Sequence, residues 1–249
     1  MSSRNWPVRY DNGPHPRAKF GFVLIPNSQL VEYEMTRLAP AGVGLHFARG
    51  RMPRETNVAS LAVMGESLAD VAGSLLPGEH LDVIAYACTT GSLVLGEKRV
   101  CEELGRDHPD ARTTSTVSAV IAALRAVDAR RIVVATPYID EVNAAEADYL
   151  EANEFKILGI EGLNLRYDAD IIRVAPEFIA EFACATDRAD ADAIFISCAA
   201  LRSIDVLDEI EHRTGKPVIA SNQALLWHCM RLAGLDDRIA ACGSLLREF

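Results

Sequence analysis

Two matching stretches decide the fold of this chain: Leu81-Asp-Val-Ile-Ala-Tyr-Ala-Cys-Thr-Thr-Gly-Ser92 and Ala191-Asp-Ala-Ile-Phe-Ile-Ser-Cys-Ala-Ala-Leu-Arg-Ser203. Each has an Asp six residues and an Ile four residues before a cysteine, which is Cys88 or Cys198. The apolar run before each cysteine predicts a short buried strand, and the residues after it predict a turn followed by a helix. At such a junction the thiol faces the N–H groups of the next helix, which favour a thiolate and any anion beside it.

The repetition extends beyond the cysteines. Val23-Leu-Ile-Pro26 recurs as Val134-Ala-Thr-Pro137, with the prolines 111 positions apart and the cysteines 110 apart. A looser match relates residues 113–132 to residues 217–239. We therefore expect two similar halves related by a pseudo-twofold axis.

Strand and helix patterns alternate along both halves. Strand patterns cover residues 20–25, 44–49, 81–88, 131–136, 155–160, 191–198 and 216–221, and helical patterns cover 31–38, 57–76, 93–104, 176–185, 204–212 and 222–232. This alternation predicts an α/β fold of two pseudo-symmetric lobes, each a parallel sheet flanked by helices, with the active site in the cleft between them. The predicted divisions are an N-terminal arm (1–19), a first lobe (20–125) and a second lobe (126–249).

Composition limits the classes of function. The chain has 249 residues, of which 49% are hydrophobic and 24% charged, and these values are ordinary for a globular protein. A formal net charge of −10 argues against a nucleic-acid partner, because no basic face is available to neutralise phosphates. No apolar run is long enough to span a membrane, and the first residues lack the apolar core of a signal peptide. We expect a cytoplasmic protein. A homo-oligomer is compatible with the sequence, which does not determine the oligomeric state.

The six cysteines have no paired spacing, which is typical of free thiols in a reducing compartment. Neither Cys-x-x-Cys nor His-Glu-x-x-His is present, so no metal is expected. Gly-x-Gly-x-x-Gly and Gly-x-x-x-x-Gly-Lys-Ser/Thr are also absent, so no nucleotide cofactor is indicated.

Polar residues follow several predicted strands, at the edge where parallel sheets bind ligands. Asn27, Ser28 and Gln29 follow the first strand, either as substrate ligands or as caps of the next helix. Tyr138 follows the fourth predicted strand, either as a hydrogen-bond donor to a carboxylate or as a packed tyrosine. The other candidates are the hydroxyls of Thr89, Thr90 and Ser118, the backbone amides of Ala199 and Ala200, and the polar loop with Asn164 and Asp168.

A lone cysteine is often only a small buried hydrophobe, and we interpret Cys101, Cys184, Cys229 and Cys242 in this way. The repeat changes the interpretation of Cys88 and Cys198, because equivalent strand ends of two lobes face one cleft. Two thiols on either side of one carbon can exchange a proton on both faces. Alternatively, one thiol can attack while the other delivers a proton.

Four segments together resemble the aspartate/glutamate racemase superfamily, in its branch of maleate cis–trans isomerases and arylmalonate decarboxylases. They are Ala87-Cys-Thr-Thr-Gly-Ser92, Ala135-Thr-Pro-Tyr-Ile-Asp-Glu-Val-Asn143, Ile196-Ser-Cys-Ala-Ala-Leu201 and Pro217-Val-Ile-Ala-Ser-Asn-Gln-Ala-Leu-Leu-Trp227. The resemblance covers about residues 20–240. It implies two α/β lobes and chemistry between two cysteines without a cofactor.

The resemblance also implies roles for individual residues. The decarboxylases have glycine in place of the first cysteine, so the presence of both Cys88 and Cys198 favours an isomerase or racemase. By analogy with the maleate isomerases, Cys88 adds to a double bond and Cys198 transfers the proton. Tyr138 and the Thr89, Thr90 and Ala199 amides then hold carboxylates of a small anionic substrate.

The chain departs from the maleate isomerases at two positions. Gln29 stands where those enzymes have a substrate-binding Asn, with Asn27 nearby, and Asp168 aligns with their second Asn, which leaves Asn164 out of register. A carboxylate at position 168 is expected to repel a dicarboxylate, so a ligand with an amine or amide is an alternative. We expect isomerisation of maleate to fumarate. The alternatives are an amino-acid racemase, an arylmalonate decarboxylase-like enzyme and a non-catalytic anion-binding protein.

Overall fold

The computed structural model describes residues 3–52 and 58–249, without the side chains of 58–60. It contains two parallel sheets of four strands each. The first sheet consists of β1 (Ala18–Leu24), β2 (Val43–Arg49), β3 (Val83–Tyr86) and β4 (Arg112–Ser115). The second sheet consists of β5 (Arg131–Thr136), β6 (Lys156–Gly162), β7 (Ala193–Ile196) and β8 (Val218–Ala220).

The two sheets have the same strand order. It is β2-β1-β3-β4 in the first sheet and β6-β5-β7-β8 in the second, and every pairing is parallel. β3 and β7 therefore occupy equivalent positions, each next to the first strand of its own half. This confirms the predicted α/β fold of two pseudo-symmetric lobes.

Helices connect the strands. In the first half they are α1 (Val31–Leu38), α2 (Val58–Glu66), α3 (Leu68–Gly73), α4 (Thr89–Leu95), α5 (Glu97–Gly105) and α6 (Thr116–Ala126). In the second half they are α7 (Asp140–Ala152), α8 (Asp168–Ile171), α9 (Pro176–Thr186), α10 (Leu207–Thr214), α11 (Ser221–Leu232) and α12 (Ser244–Glu248).

Two predicted helices are each divided in the structure. The helix expected over residues 93–104 is wrong as one element, because Gly96 has a φ of +79° and separates α4 from α5. Such a conformation is left-handed and glycine adopts it readily. The pattern over residues 57–76 corresponds to α2 and α3, and its predicted first residue, Asn57, lies outside the described residues.

The N-terminal arm ends two residues earlier than predicted. Residues 3–17 contain no helix or strand, whereas β1 begins at Ala18, inside the predicted arm of residues 1–19. Ala18 and Lys19 pair with Val43 and Gly44 of β2, so the sheet includes them. Arg17 attaches the end of the arm to the second lobe through a 2.9 Å hydrogen bond to the Asp237 carboxylate.

One hydrophobic core extends through both lobes. It includes Phe20 and Phe22 of the first sheet, Phe195 of the second, and the buried faces of α6 and α11. α6 and α11 pack against each other, and each also contacts the sheet of the other half. The two lobes are therefore joined by a packed helix pair. Among residues 3–52 and 58–249, no helix has the length and apolarity needed to cross a membrane.

Overpacking this helix pair should destabilise the protein. Ala123 of α6 is fully buried in the shared core, whereas its neighbour Ala122 is only partly buried. Ala123→Leu adds three carbons to a filled space and should lower the free energy of unfolding by about 1–3 kcal/mol. Urea unfolding measures this change, and Ala122→Leu is the matched control. An unchanged free energy of unfolding in Ala123→Leu would show that the α6 interface has room for the larger side chain.

Candidate active site

Cys88 lies two residues after β3 and is the N-cap of α4. Its backbone is extended, with φ −149°, and its sulfur accepts a hydrogen bond from the Gly91 amide at 3.3 Å. The thiol thus occupies the position that a serine or aspartate side chain usually takes at the start of a helix. The predicted strand–cysteine–helix junction is confirmed here.

Cys198 lies two residues after β7, at the equivalent position of the second lobe, but its backbone differs. Its φ is +99°, in the left-handed region, and its sulfur accepts a hydrogen bond from the Ala200 amide at 3.4 Å. No helix starts after it: residues 199–200 form a turn, and the next regular element is a 3-10 helix at Ile204–Val206. The expectation that the Cys198 thiol faces the N–H groups of a following helix is therefore wrong, because the amides beside it belong to a turn.

Hydrogen bonds to buried side chains fix the positions of Ser197, Cys198 and Ala199. The Ser221 hydroxyl accepts a hydrogen bond from the Cys198 amide at 3.0 Å, and the Ser197 hydroxyl donates to Glu146 at 2.6 Å. Asn222 donates to the Ala199 carbonyl at 3.0 Å. A non-glycine residue in a sparsely populated conformation costs about 1–3 kcal/mol, and it persists only when its surroundings fix it. These bonds provide that restraint at Cys198.

Two buried glutamates are part of the restraint. Glu146 lies in α7, and burial raises its pKa to about 7 although Ser197 donates to it. Glu34 lies in α1, accepts a 2.6 Å hydrogen bond from Asn222, and has its pKa raised to about 8 by burial. The turn that contains Cys198 is therefore connected to elements of both lobes through carboxyl groups whose charge is penalised.

Both thiols face one cavity of about 490 Å³ at the carboxyl ends of the strands, a size ordinary for small-molecule sites. The predicted residues that line it, beside the two cysteines, are Ser28, Gln29, Thr89, Thr90, Tyr138, Asp168, Ala199 and Ala200. The remaining lining residues among those described are Ile25, Ala87, Ile139, Glu141, Val142, Leu165, Arg166, Tyr167 and Ile171. The structure thus brings most of the predicted site together.

The pKa of each cysteine is raised to about 12. Burial is the largest cause for both, and the negative charge of Asp168 adds to it. The Gly91 amide lowers the pKa of Cys88, and the Tyr138 hydroxyl lowers that of Cys198. At neutral pH both cysteines are therefore protonated, with donors beside each sulfur.

Tyr138 connects the two sides of the cleft. Its hydroxyl lies beside the Cys198 thiol and interacts with the Thr90 hydroxyl of the first lobe. Burial, followed by the charges of Cys198 and Glu146, raises its pKa well above the usual value, so the phenol stays protonated. Of the two roles considered for Tyr138, the geometry supports a hydrogen-bond donor in the cleft.

The loop after β1 faces the same cavity. Ser28 and Gln29 line it, and the N-cap position of α1 belongs to Leu30 without a side-chain hydrogen bond, so neither Asn27 nor Ser28 caps that helix. Asn27 is not among the lining residues, and instead donates a 2.6 Å hydrogen bond to the Asp168 carboxylate. Asn27 therefore orients a lining residue from the opposite lobe.

Two predicted site residues lie elsewhere. Ser118 is in the first turn of α6, where its amide and hydroxyl are both bonded to the Ser115 side chain, so it belongs to a helix cap. Asn164 has a φ of +58° and its amide donates to the Tyr138 carbonyl at 3.2 Å. Asn164 thus shapes the loop after β6, and its side chain does not line the cavity.

Sequence reasoning missed three polar residues of the cavity wall: Glu141, Arg166 and Tyr167. Arg166 and Tyr167 lie in the same polar loop as the predicted residues Asn164 and Asp168, so the pattern indicates the loop but not every residue of it that lines the cavity. Arg166 is a cation at the cleft and is suited to a carboxylate. Among the described residues, no three His, Cys, Asp or Glu side chains form a potential metal site.

Comparisons with known proteins find relatives with the same architecture. The sequence model of the arylmalonate decarboxylase family matches residues 97–246. A maleate isomerase from Nocardia farcinica is 27% identical over 244 residues, covering 92% of this chain and 96% of that protein.

Two solved structures are similar over nearly the whole chain. One is a cysteine mutant of the Nocardia farcinica maleate cis-trans isomerase with a covalently bound succinylcysteine intermediate. It has a TM-score of 0.85 and 25% identity, and the match covers 93% of this chain and 99% of that one. The other is an arylmalonate decarboxylase mutant with glycine-to-cysteine and cysteine-to-serine exchanges, in a liganded form. It has a TM-score of 0.84 and 26% identity, covering 93% and 100%.

Removing the Asp168 charge should make both thiols more reactive. Because that charge raises the pKa of Cys88 and of Cys198, Asp168→Asn should lower both values and accelerate alkylation by iodoacetamide several-fold at pH 8. Peptide mass spectrometry follows each cysteine separately. Glu141→Gln, which also removes a carboxylate from the cavity wall, is the control and should leave both rates unchanged. Unchanged rates in Asp168→Asn would disprove the electrostatic coupling.

Glu146 should make stability depend on pH. Its folded pKa of about 7 exceeds the ordinary value of 4.5, so the unfolded chain releases this proton at lower pH. Its contribution to stability is present below pH 4.5 and is lost as the pH rises through 7. The free energy of unfolding of the wild type should therefore fall between pH 5 and pH 8. In Glu146→Gln this fall should be smaller by a few kcal/mol, as measured by urea unfolding. Glu151→Gln, on the exposed side of α7, should follow the wild type.

Proposed function

Because the chain belongs to the arylmalonate decarboxylase family, we propose that it is a two-cysteine isomerase that converts maleate to fumarate without a cofactor. One observation carries the proposal: Cys88 and Cys198 lie two residues after equivalent strands of the two lobes and face the same cavity. The charge of Cys88 also raises the pKa of Cys198, which supports a short separation between the two sulfurs. One small substrate can therefore contact both thiols.

The relatives support this choice within the family. The Nocardia farcinica maleate isomerase aligns over most of both chains, and the solved structure of its variant holds a succinylcysteine intermediate. A succinylcysteine is the product of adding a thiol to the double bond of maleate. In this chain the first lobe supplies Cys88 at a helix N-terminus, where a sulfur is best placed to carry developing negative charge.

In the proposed reaction the S–H bond of Cys88 adds across the double bond. The Cys88 sulfur bonds to one olefinic carbon, and the electron pair of the double bond moves to the other carbon as an enediolate. Cys198 donates its proton to that carbon and regains the proton that Cys88 loses, so the thiols balance. The central bond is now single and rotates. Reversal of the same steps releases fumarate and restores both thiols.

Neutral donors and one cation serve the substrate carboxylates. The Thr89 and Thr90 amides lie at the start of α4, and the Tyr138 hydroxyl and the Ala200 amide lie at the second thiol. Arg166 contributes a positive charge to the cavity wall. Such groups stabilise an enediolate because they are already oriented before the charge develops.

We further propose that the enzyme is cytoplasmic. All six cysteines are free thiols, including the two that the reaction uses. A reducing compartment keeps cysteines in that state.

The test is intact-protein mass spectrometry with maleate, together with the conversion of maleate to fumarate followed by proton NMR. The wild type should produce fumarate. Cys198→Ala should retain an adduct of one maleate mass and lose turnover by about 10²–10⁴-fold, since the proton donor is missing. Cys88→Ala should show neither adduct nor turnover. Cys101→Ser, which changes a cysteine of α5 outside the cavity, should behave as the wild type.

Three results would contradict the proposal. An adduct that forms on a cysteine other than Cys88, with turnover unaffected by Cys88→Ala, would remove the nucleophile. Release of carbon dioxide from a disubstituted malonate would assign the decarboxylase reaction instead. Exchange of deuterium from heavy water into the α-position of a chiral amino acid, without conversion of maleate, would assign a racemase.

A further inference from the structure

Tyr86 is a buried polar residue that the proposed reaction does not use. It is the last residue of β3, two positions before Cys88, and its side chain is fully buried. Among the described residues, its hydroxyl has no hydrogen-bond partner that meets ordinary distance and angle limits. A hydroxyl buried without a partner loses its hydration and gains nothing in exchange, so its retention in a core of aliphatic side chains requires an explanation.

The hydroxyl lies under the first turn of α4, beside the thiol. A Cβ atom on Gly91 would be 2.3 Å from the Tyr86 oxygen and 2.9 Å from its ring, a clash that only glycine avoids. The amide of the same Gly91 donates to the Cys88 sulfur at 3.3 Å. The absence of a side chain at position 91 therefore lets the phenol approach the helix turn that holds the sulfur.

The two groups also influence each other electrostatically. The Tyr86 hydroxyl lowers the pKa of Cys88, in the same direction as the Gly91 and Thr90 amides. Burial, and after it the charge of a Cys88 thiolate, raises the pKa of Tyr86 well above its usual value. The phenol therefore keeps its proton at neutral pH and is available as a donor.

We propose that Tyr86 stabilises the Cys88 thiolate from the buried side, by donating its O–H to the sulfur as the thiol proton leaves. The inference rests on the proposed function for the role of Cys88 as nucleophile. No proton leaves Tyr86. The proton of Cys88 moves toward Cys198 as described above, and the freed lone pair of the sulfur accepts the phenol hydrogen bond.

In the second lobe a different tyrosine lies beside the thiol. The position equivalent to Tyr86, two residues before Cys198, is Ile196. There a phenol comes from the loop after β5 instead, as Tyr138, and it reaches the sulfur from the cavity. Each thiol thus has one tyrosine hydroxyl beside it. Tyr138 lines the substrate cavity, whereas Tyr86 does not.

The experiment compares Tyr86→Phe with Tyr149→Phe, which removes another buried hydroxyl that lacks a partner, in α7 outside the cavity. Iodoacetamide alkylation is followed at Cys88 and Cys198 by peptide mass spectrometry between pH 7 and pH 10. Tyr86→Phe should slow alkylation of Cys88 roughly ten-fold, since the thiolate loses a hydrogen bond from a buried donor. Alkylation of Cys198 should stay at the wild-type rate, and Tyr149→Phe should change neither.

Two more readouts separate this role from packing. Because the variant removes a buried hydroxyl without a partner, Tyr86→Phe should melt at the wild-type temperature or higher while reacting more slowly. Its kcat with maleate should fall by a factor similar to that of alkylation, with KM unchanged, because Tyr86 does not line the cavity. If Tyr86→Phe lowers both the alkylation rate of Cys88 and the melting temperature, the role of Tyr86 is structural and the proposal is overturned.

The outcome is also distinguishable from failure of the proposed function. If the wild type does not convert maleate but Tyr86→Phe still slows alkylation of Cys88 alone, the tyrosine acts on the thiol and the assigned reaction is wrong. If the wild type converts maleate and Tyr86→Phe alkylates at the wild-type rate, the inference about Tyr86 is wrong and the reaction stands.

Discussion

The packing of α6 against α11 is the constraint on which the site depends. Each helix follows the fourth strand of its own sheet and also contacts the sheet of the other half. The distance and angle between the two sheets are therefore set by a buried helix pair inside a shared core. The two cysteines follow strands of different sheets, so the distance between their sulfurs depends on the packing of α6 against α11.

The two halves share a topology but support their cysteines differently. Cys88 has an extended backbone and the amides of a helix turn, an arrangement that accepts negative charge. Cys198 has a left-handed backbone fixed by bonds to Ser221, Glu146 and Asn222 through its own amide and its neighbours. The first environment suits a sulfur that forms and breaks a carbon bond. The second suits a sulfur whose direction must be fixed for proton transfer.

The sequence predicted what local patterns encode. The strands that lead to Cys88 and Cys198 are short apolar runs, and their repetition predicted two lobes and one cleft. β4 (Arg112-Thr-Thr-Ser115) is too polar to match a buried-strand pattern. Ser118 was selected as a hydroxyl near a strand end, but the neighbouring Ser115 uses it in a cap. Glu34 and Glu146 left no signal, because their partners are 188 and 51 positions away.

The left-handed backbone of Cys198 has a consequence for how this sequence can change over evolutionary time. Glycine adopts a φ of +99° readily, whereas any side chain there is strained. Stability alone therefore favours replacing the thiol, and only a requirement for its chemistry opposes that drift. A descendant that no longer needs two thiols gains stability by accepting glycine at this position. The chemistry of the thiol, and not the stability of the fold, therefore accounts for a cysteine at this backbone.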